Sequence, residues 1–215
     1  VNGVKYYHLI LLAENQTGYK NLVQLVSLAN IEGMYYKPRI DKELLQKYHE
    51  GIICLSACIA GEIPRSLLQD NKEKAEALVQ EYLSIFGKDN FFLEIQNHGL
   101  PEERKSNAGL IELARKYDVG LVATNDCHYI EKEDTKMHHI LVCIQTNRTV
   151  EDEDTLEFGS DEFYFKSEDE MRALFPDCPE AADNTQKIAD RFEQEGFNAP
   201  RALPAYAAAA ASREI

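Results

Sequence analysis

The sequence predicts an α/β fold with a largely parallel sheet or barrel, and three observations carry that prediction. Short apolar runs alternate with longer segments whose apolar residues recur at helical spacing. The connections between them are of ordinary length, and residues with acid, base or ligand chemistry stand in or just after the apolar runs. In folds of this class sites collect at the carboxyl ends of the strands, so the pattern also says where chemistry is expected.

Residues 6 to 13 read as a first strand, containing Tyr7-His8-Leu9-Ile10-Leu11-Leu12. Asn15-Gln16-Thr17-Gly18 turns the chain into a helix from about Tyr19 to Asn30, where Leu22, Val23, Leu25, Val26 and Ala29 form one stripe. Gly33 and Pro38 mark a loop, Asp41 caps a short helix through Tyr48, and Gly51 leads into a second strand, Ile52 onward, that ends at Cys58. After Gly61 a short helix precedes a longer one, Lys72 to Phe86, with Ala75, Leu78, Val79, Tyr82 and Leu83 on one face. Phe91 to Ile95 is a third strand, closed by Gln96-Asn97-His98-Gly99. Pro101 opens a helix to about Tyr117, and Val119, Leu121, Val122 and Ala123 form a fourth strand that stops at Asn125-Asp126-Cys127-His128.

Beyond Tyr129 the texture changes. A helix is expected over Glu133 to Asn147, then an acidic loop from Thr149 to Asp154, and a short strand or edge segment at Phe163-Tyr164-Phe165. Ser167 with Glu170 forms a capping box for a helix through Leu174, and Pro179 to Glu193 is a last acidic helix. Residues 1–195 read as one domain and 196–215, with the run Ala207 to Ala211, as a linker or frayed tail.

A formal charge of -14 argues against this chain alone gripping a phosphate backbone. No stripe of basic and aromatic residues suggests stacking on nucleic acid, and no Gly-rich phosphate loop, G-x-S-x-G elbow or CxxC pair occurs. The five cysteines are odd in number and lack paired spacing, which suits a reducing cytoplasm. No apolar run approaches the roughly 18 residues a membrane span needs. The chain starts at Val1 and enters a strand almost at once, which suggests a piece of a longer protein.

Chemistry concentrates at the fourth strand's end. In an extended segment residues two apart point the same way, so Asp126 and His128 can present a carboxylate and an imidazole to one divalent cation or one substrate. The bland alternative is a capping Asp beside an unrelated His. Cys58 offers a soft sulfur for a mixed site, against the commoner fate of a buried apolar cysteine; His8 is a ligand or a hydrogen-bonded core histidine. His98 and the pair His138-His139 have milder claims, and adjacent histidines on a helix point about 100° apart.

Taken together, Tyr7-His8-Leu9-Ile10-Leu11-Leu12-Ala13-Glu14-Asn15 with Gly18-Tyr19-Lys20-Asn21-Leu22, then Leu55-Ser56-Ala57-Cys58-Ile59-Ala60-Gly61-Glu62, Leu93-Glu94-Ile95-Gln96-Asn97-His98-Gly99 and Ala123-Thr124-Asn125-Asp126-Cys127-His128-Tyr129, resemble the PHP (polymerase and histidinol phosphatase) domain. The match is to the version at the amino end of the alpha subunit of bacterial replicative DNA polymerases. This resemblance implies a partial, distorted, TIM-like β/α barrel whose strand ends, in complete members, hold up to three divalent metals by nine ligands. Carried over residue by residue, His8, Cys58, Asp126 and His128 fall on ligand positions, while Glu94 and His98 lie in a family motif and are expected to support ligands rather than touch metal.

The family's opening His-x-His motif, its Thr-Asp-His motif and a following Glu belong ahead of Val1. The resemblance therefore implies an incomplete site that binds zinc or manganese weakly, with negligible nuclease activity in this chain by itself. In the parent, a DNA-directed DNA polymerase, the complete site would support 3′ to 5′ trimming of DNA. Expected partners are DNA, held through other parts of the parent, and other replisome subunits; open strand edges also predict self-association. The rival reading is a non-catalytic module that stabilises the polymerase or docks a proofreading subunit. A free-standing phosphatase of the family, such as a histidinol-phosphate phosphatase, fits the fold but not the segments Gly18 to Asn21 and Leu55 to Glu62.

Overall fold

The computed structural model describes residues 6–152 and 159–192, and the tail expected from residue 196 lies outside them. Four strands, β1 (Ile10–Ala13), β2 (Ile52–Leu55), β3 (Phe91–Ile95) and β4 (Gly120–Ala123), form one sheet in that order. Strands β2, β3 and β4 are parallel, as helical crossovers require. Helices α3 (Glu62–Leu68) and α4 (Lys72–Phe86) connect the first two of these, and α5 (Pro101–Tyr117) the second pair.

Strand β1 departs from the expected parallel array. It runs antiparallel to β2, with Ile10 opposite Leu55 and Ala13 opposite Ile52. It is also shorter than residues 6–13: the N–H of His8 donates to the Ala60 carbonyl at 3.1 Å, in the loop beyond β2, and forms an isolated bridge with Gly61. Strand β2 in turn ends at Leu55, not Cys58, because Ala57 takes a left-handed backbone (φ 63°) that breaks the ladder. Among the described residues the sheet is open, with β1 and β4 at its edges, and a closed barrel is not formed.

Side chains alternate across this sheet as the strand period demands. Ile52, Cys54, Phe91, Leu93, Ile95, Leu121 and Ala123 enter the larger core with α4 and α5. Ile53, Leu55 and Val122 point the other way, toward Ile188 on α8 (Pro179–Asp190). The chain between β1 and β2 holds α1 (Gln16–Ile31) and α2 (Lys42–Lys47). Asn15 caps α1 by accepting from the Gly18 N–H at 3.0 Å, and Asp41 caps α2 by accepting from Leu44 at 2.9 Å. A Cβ at Gly18 would stand 1.8 Å from the Gly51 carbonyl oxygen, so only glycine lets α1 rest on the turn before β2. Asn21 reinforces that contact, its Nδ2 donating to the Glu50 carbonyl at 2.8 Å.

After β4 a single 3-10 turn (Lys132–Asp134) precedes α6 (Thr135–Thr146). The strand expected at residues 163–165 reduces to an isolated bridge between Tyr129 and Tyr164. Helix α7 (Glu168–Leu174) carries the expected capping box of Ser167 and Glu170. Beyond α8, Arg191 ties distant segments together: its Nε lies 2.8 Å from Glu14 Oε1, one Nη donates to the Asp89 carbonyl at 2.6 Å, and the other to Asn90 Oδ1.

Candidate metal centre

The antiparallel course of β1 decides where the first candidate ligand stands. Because β1 begins beside the end of β2, His8, two residues before it, reaches the same rim as Cys58, just past β2. Their side chains meet there, His8 Nδ1 lying 3.6 Å from Cys58 Sγ. Tetrahedral zinc, with bonds of about 2.3 Å to sulfur and about 2.0 to 2.1 Å to nitrogen, would set two such donors about 3.6 Å apart. The pair therefore fits one half of a zinc site, in donor chemistry and in spacing.

Burial pushes the Cys58 thiol up from its ordinary range, and the negative charges of Asp126 and Glu94 push it the same way. A hydrogen bond from the Ala60 backbone works against this rise. The thiol is thus held as S–H until a positive charge arrives to stabilise its anion.

Asp126 and His128 stand at the end of β4 but not as an extended pair. Asp126 has a left-handed backbone (φ 43°), so the alternation that would aim both side chains one way is interrupted. His128 Nδ1 turns back to the Asp126 carbonyl oxygen at 2.6 Å, and its ring sits edge-on to Phe163 and 5.3 Å from His138. His139 points elsewhere on α6, to Cys143 Sγ at 3.8 Å. The structure therefore brings His8 and Cys58 into contact and places Asp126 within electrostatic reach of Cys58. Among the described residues no three His, Cys, Asp or Glu side chains close on one point.

Glu94 and His98 are both buried. Glu94 is buried on β3 on the side of the sheet opposite Leu93; its Oε1 accepts from Thr124 Oγ1 at 2.5 Å and Gln96 Nε2 at 3.0 Å. Its Oε2 is buried without a hydrogen-bond partner. Burial raises the Glu94 carboxyl, and the two side-chain donors pull it back down. A cavity of about 10 Å³, lined by Cys58, Glu94, Gln96 and Glu103 among others, lies beside it. His98 is buried, stacked 3.8 Å from Phe163, and its Nε2 donates to the Asn125 carbonyl at 2.7 Å, fixing the backbone just before Asp126.

A cleft beside His8 is not apparent from the sequence. Tyr6, Tyr7, Lys37, Arg39, Lys42 and Tyr82 line a cleft that opens at His8, although no single segment carries them. The local signal was Tyr35-Tyr36-Lys37-Pro38-Arg39, two adjacent aromatics and two cations in five residues.

The profile described as PHP domain matches residues 2–98 of the chain. The DNA polymerase III subunit alpha of Treponema pallidum is 53% identical over 189 residues, covering 88% of this chain and 16% of that protein. That of Thermus aquaticus is 53% identical over 187 residues, covering 86% and 15%. That of Helicobacter pylori (strain 26695) is 40% identical over 195 residues, covering 86% and 16%. The chain thus spans about one sixth of the length of these relatives.

Proposed function

Because the chain belongs to the PHP domain family, in the form carried by DNA polymerase III alpha subunits, we propose that it supplies part of a divalent-metal site for 3′ to 5′ phosphoesterase chemistry on DNA within such a subunit. The observation that carries this reading is the 3.6 Å contact between His8 Nδ1 and Cys58 Sγ at the strand ends. Zinc suits the mixed nitrogen and sulfur pair, and manganese is the alternative where carboxylate joins it. When bound, such an ion would polarise a phosphodiester and ease deprotonation of a water.

The chain's own residues have separable tasks in this reading. His8 and Cys58 would bind; Asp126 and Glu94 would add negative charge within electrostatic reach of the thiol; His98 fixes the backbone just before Asp126. His128, turned toward the Asp126 carbonyl, joins by a rotation of its ring. With this partial set the chain alone is expected to hold metal weakly and to hydrolyse DNA negligibly.

Cobalt(II) titration of the chain tests the reading. A cobalt–thiolate charge-transfer band is expected, absent in Cys58→Ser and weakened in His8→Ala; its absence from the unaltered chain would end the case for a shared ion. In the full-length parent, metal-dependent trimming of a 3′-mismatched primer should disappear with Asp126→Asn.

A second reading, a structural module that stabilises the polymerase or docks another replisome subunit, draws support from the lack of a closed set of three donors among the described residues. Elemental analysis of the intact parent separates the two, since a scaffold needs no stoichiometric metal. No helix among the described residues is long and apolar enough to cross a membrane.

A further inference from the structure

We propose that Asn125 is a positioning residue of the candidate metal centre: its buried side-chain amide grips residues 160–166, and that grip sets the conformation in which Asp126 and His128 are presented. This role rests on the metal reading above. It extends that reading to a stretch of chain that carries none of the candidate ligands.

The amide of Asn125 donates from Nδ2 to the carbonyl oxygens of Glu162 at 3.1 Å and Tyr164 at 2.7 Å, 37 and 39 residues further along the chain. Its own carbonyl accepts from His98 Nε2 at 2.7 Å. Directly after this anchor the backbone turns left-handed at Asp126, a conformation that a free loop seldom holds at a residue other than glycine. The same segment fixes the far side of the turn. The His128 N–H donates to the Phe163 carbonyl at 2.8 Å, the Phe165 N–H to the Ile130 carbonyl at 3.1 Å, and Cys127 Sγ to the Tyr164 carbonyl at 3.5 Å. Asp126 stays exposed between the two anchors.

Residues 160–166 are themselves tied to the end of β3. Ser160 Oγ donates to the His98 carbonyl at 2.7 Å and accepts from the Glu162 N–H at 3.2 Å, and the Phe163 ring stacks on His98 while standing edge-on to His128. Asn125 Oδ1 is buried without a hydrogen-bond partner, a cost that an apolar side chain of the same shape would not carry. What the position gains in return is the pair of donors on Nδ2. Their effect reaches the ligand chemistry through His128. A carbonyl oxygen only accepts, so the bond of 2.6 Å from His128 to the Asp126 carbonyl puts the ring proton on Nδ1 and the lone pair on Nε2. The shape of the turn therefore selects which imidazole nitrogen can meet a metal.

Two measurements on the full chain test the role, the first without metal. In chelator at about pH 8, where an ordinary imidazole is neutral, long-range proton–nitrogen NMR should find His128 protonated on Nδ1. Asn125→Leu, which keeps the volume and removes both donors, should convert it to a mixture of the two tautomers. Ser160→Ala, which loosens residues 160–166 from the other end, should shift it in the same direction. Cobalt(II) titration comes second: Asn125→Leu should weaken binding about tenfold, the low end of what a group orienting a ligand commands. In a chain already carrying Asp126→Asn and His128→Gln, the same substitution should cost nothing further, whereas a general loss of structure would weaken binding in both backgrounds alike. If circular dichroism shows Asn125→Leu unfolded, Ser160→Ala decides by both measurements. An unchanged His128 tautomer, or equal losses of cobalt affinity in the two backgrounds, would overturn the proposal and leave the metal reading standing. A cobalt–thiolate band missing from the unaltered chain would remove the metal reading and this role with it.

Discussion

The imidazole of His98 and the carboxylate of Glu103 form a buried pair, Nδ1 to Oε1 at 2.5 Å, while Glu103 Oε2 accepts from the His98 backbone N–H at 2.7 Å. A carbonyl oxygen only accepts, so Nε2 donates to Asn125, and a proton lies between Nδ1 and Glu103. Both carboxylate oxygens and both ring nitrogens are therefore used. Glu103→Ala leaves a buried imidazole and a buried N–H without partners and should cost about 3 kcal/mol, read as a lower urea midpoint with an unchanged slope. An unaltered midpoint would mean that water replaces the carboxylate in place.

Glu94 gives a signed pH dependence. Burial raises its carboxyl, so the folded chain holds that proton more tightly than the unfolded chain does. Its contribution is present below the ordinary carboxylate range and lost as pH rises through the raised value. Glu94→Gln, which keeps an acceptor for Thr124 and Gln96, should gain stability relative to the unaltered protein as pH rises from about 4 to neutrality. A difference that is flat with pH would show that the carboxylate is solvated after all.

At the surface the sign reverses. The Tyr164 hydroxyl donates to Glu170 Oε1 at 2.7 Å, and together with Ser167 it holds the Glu170 carboxyl down to about 2. The stabilisation from this carboxylate is present above its unfolded value and lost as pH falls toward about 2. NMR titration of the Glu170 side chain should find that low midpoint and a higher one in Tyr164→Phe.

The cysteines should react in an order set by access and thiolate character. Cys127 is exposed and should alkylate first; Cys58 is half-buried with a raised thiol and should lag; Cys54 and Cys178 are buried with raised thiols and should be last. If Cys58 binds zinc, added zinc should protect it and leave Cys127 reactive. Mass spectrometry of partially alkylated protein reads both outcomes.

Gly18→Ala should destabilise the fold by about 2 kcal/mol, since the new Cβ collides with backbone rather than with a flexible side chain. The motif around Gly18 to Asn21 thus marks how α1 seats on the turn at Glu50 and Gly51, not a site of chemistry.

Much of this fold was legible in the residues. Lys72–Phe86, Phe91–Ile95 and Pro101–Tyr117 match their expected bounds because long apolar periods, a proline start and glycine breaks act together there. The direction of β1 was not legible, since a short apolar run looks the same in either orientation. Nor were the left-handed turns at Ala57 and Asp126, where no glycine signals them. His8, Cys58, Asp126 and His128 were picked out by resemblance more than by spacing, and the contact between the first two arises from a strand reversal that the resemblance did not suggest.

That reversal makes the donor pair a property of strand alignment. If the pairing of Ile10 with Leu55 slipped by one residue, the imidazole would face the opposite side of the sheet. A slip of two would restore its facing but carry it about 7 Å along the rim, out of reach of the sulfur. Insertions or deletions in the long excursion between Glu14 and Gly51 are therefore harmless to this chemistry only while they leave that alignment intact, whatever they do to the loop itself.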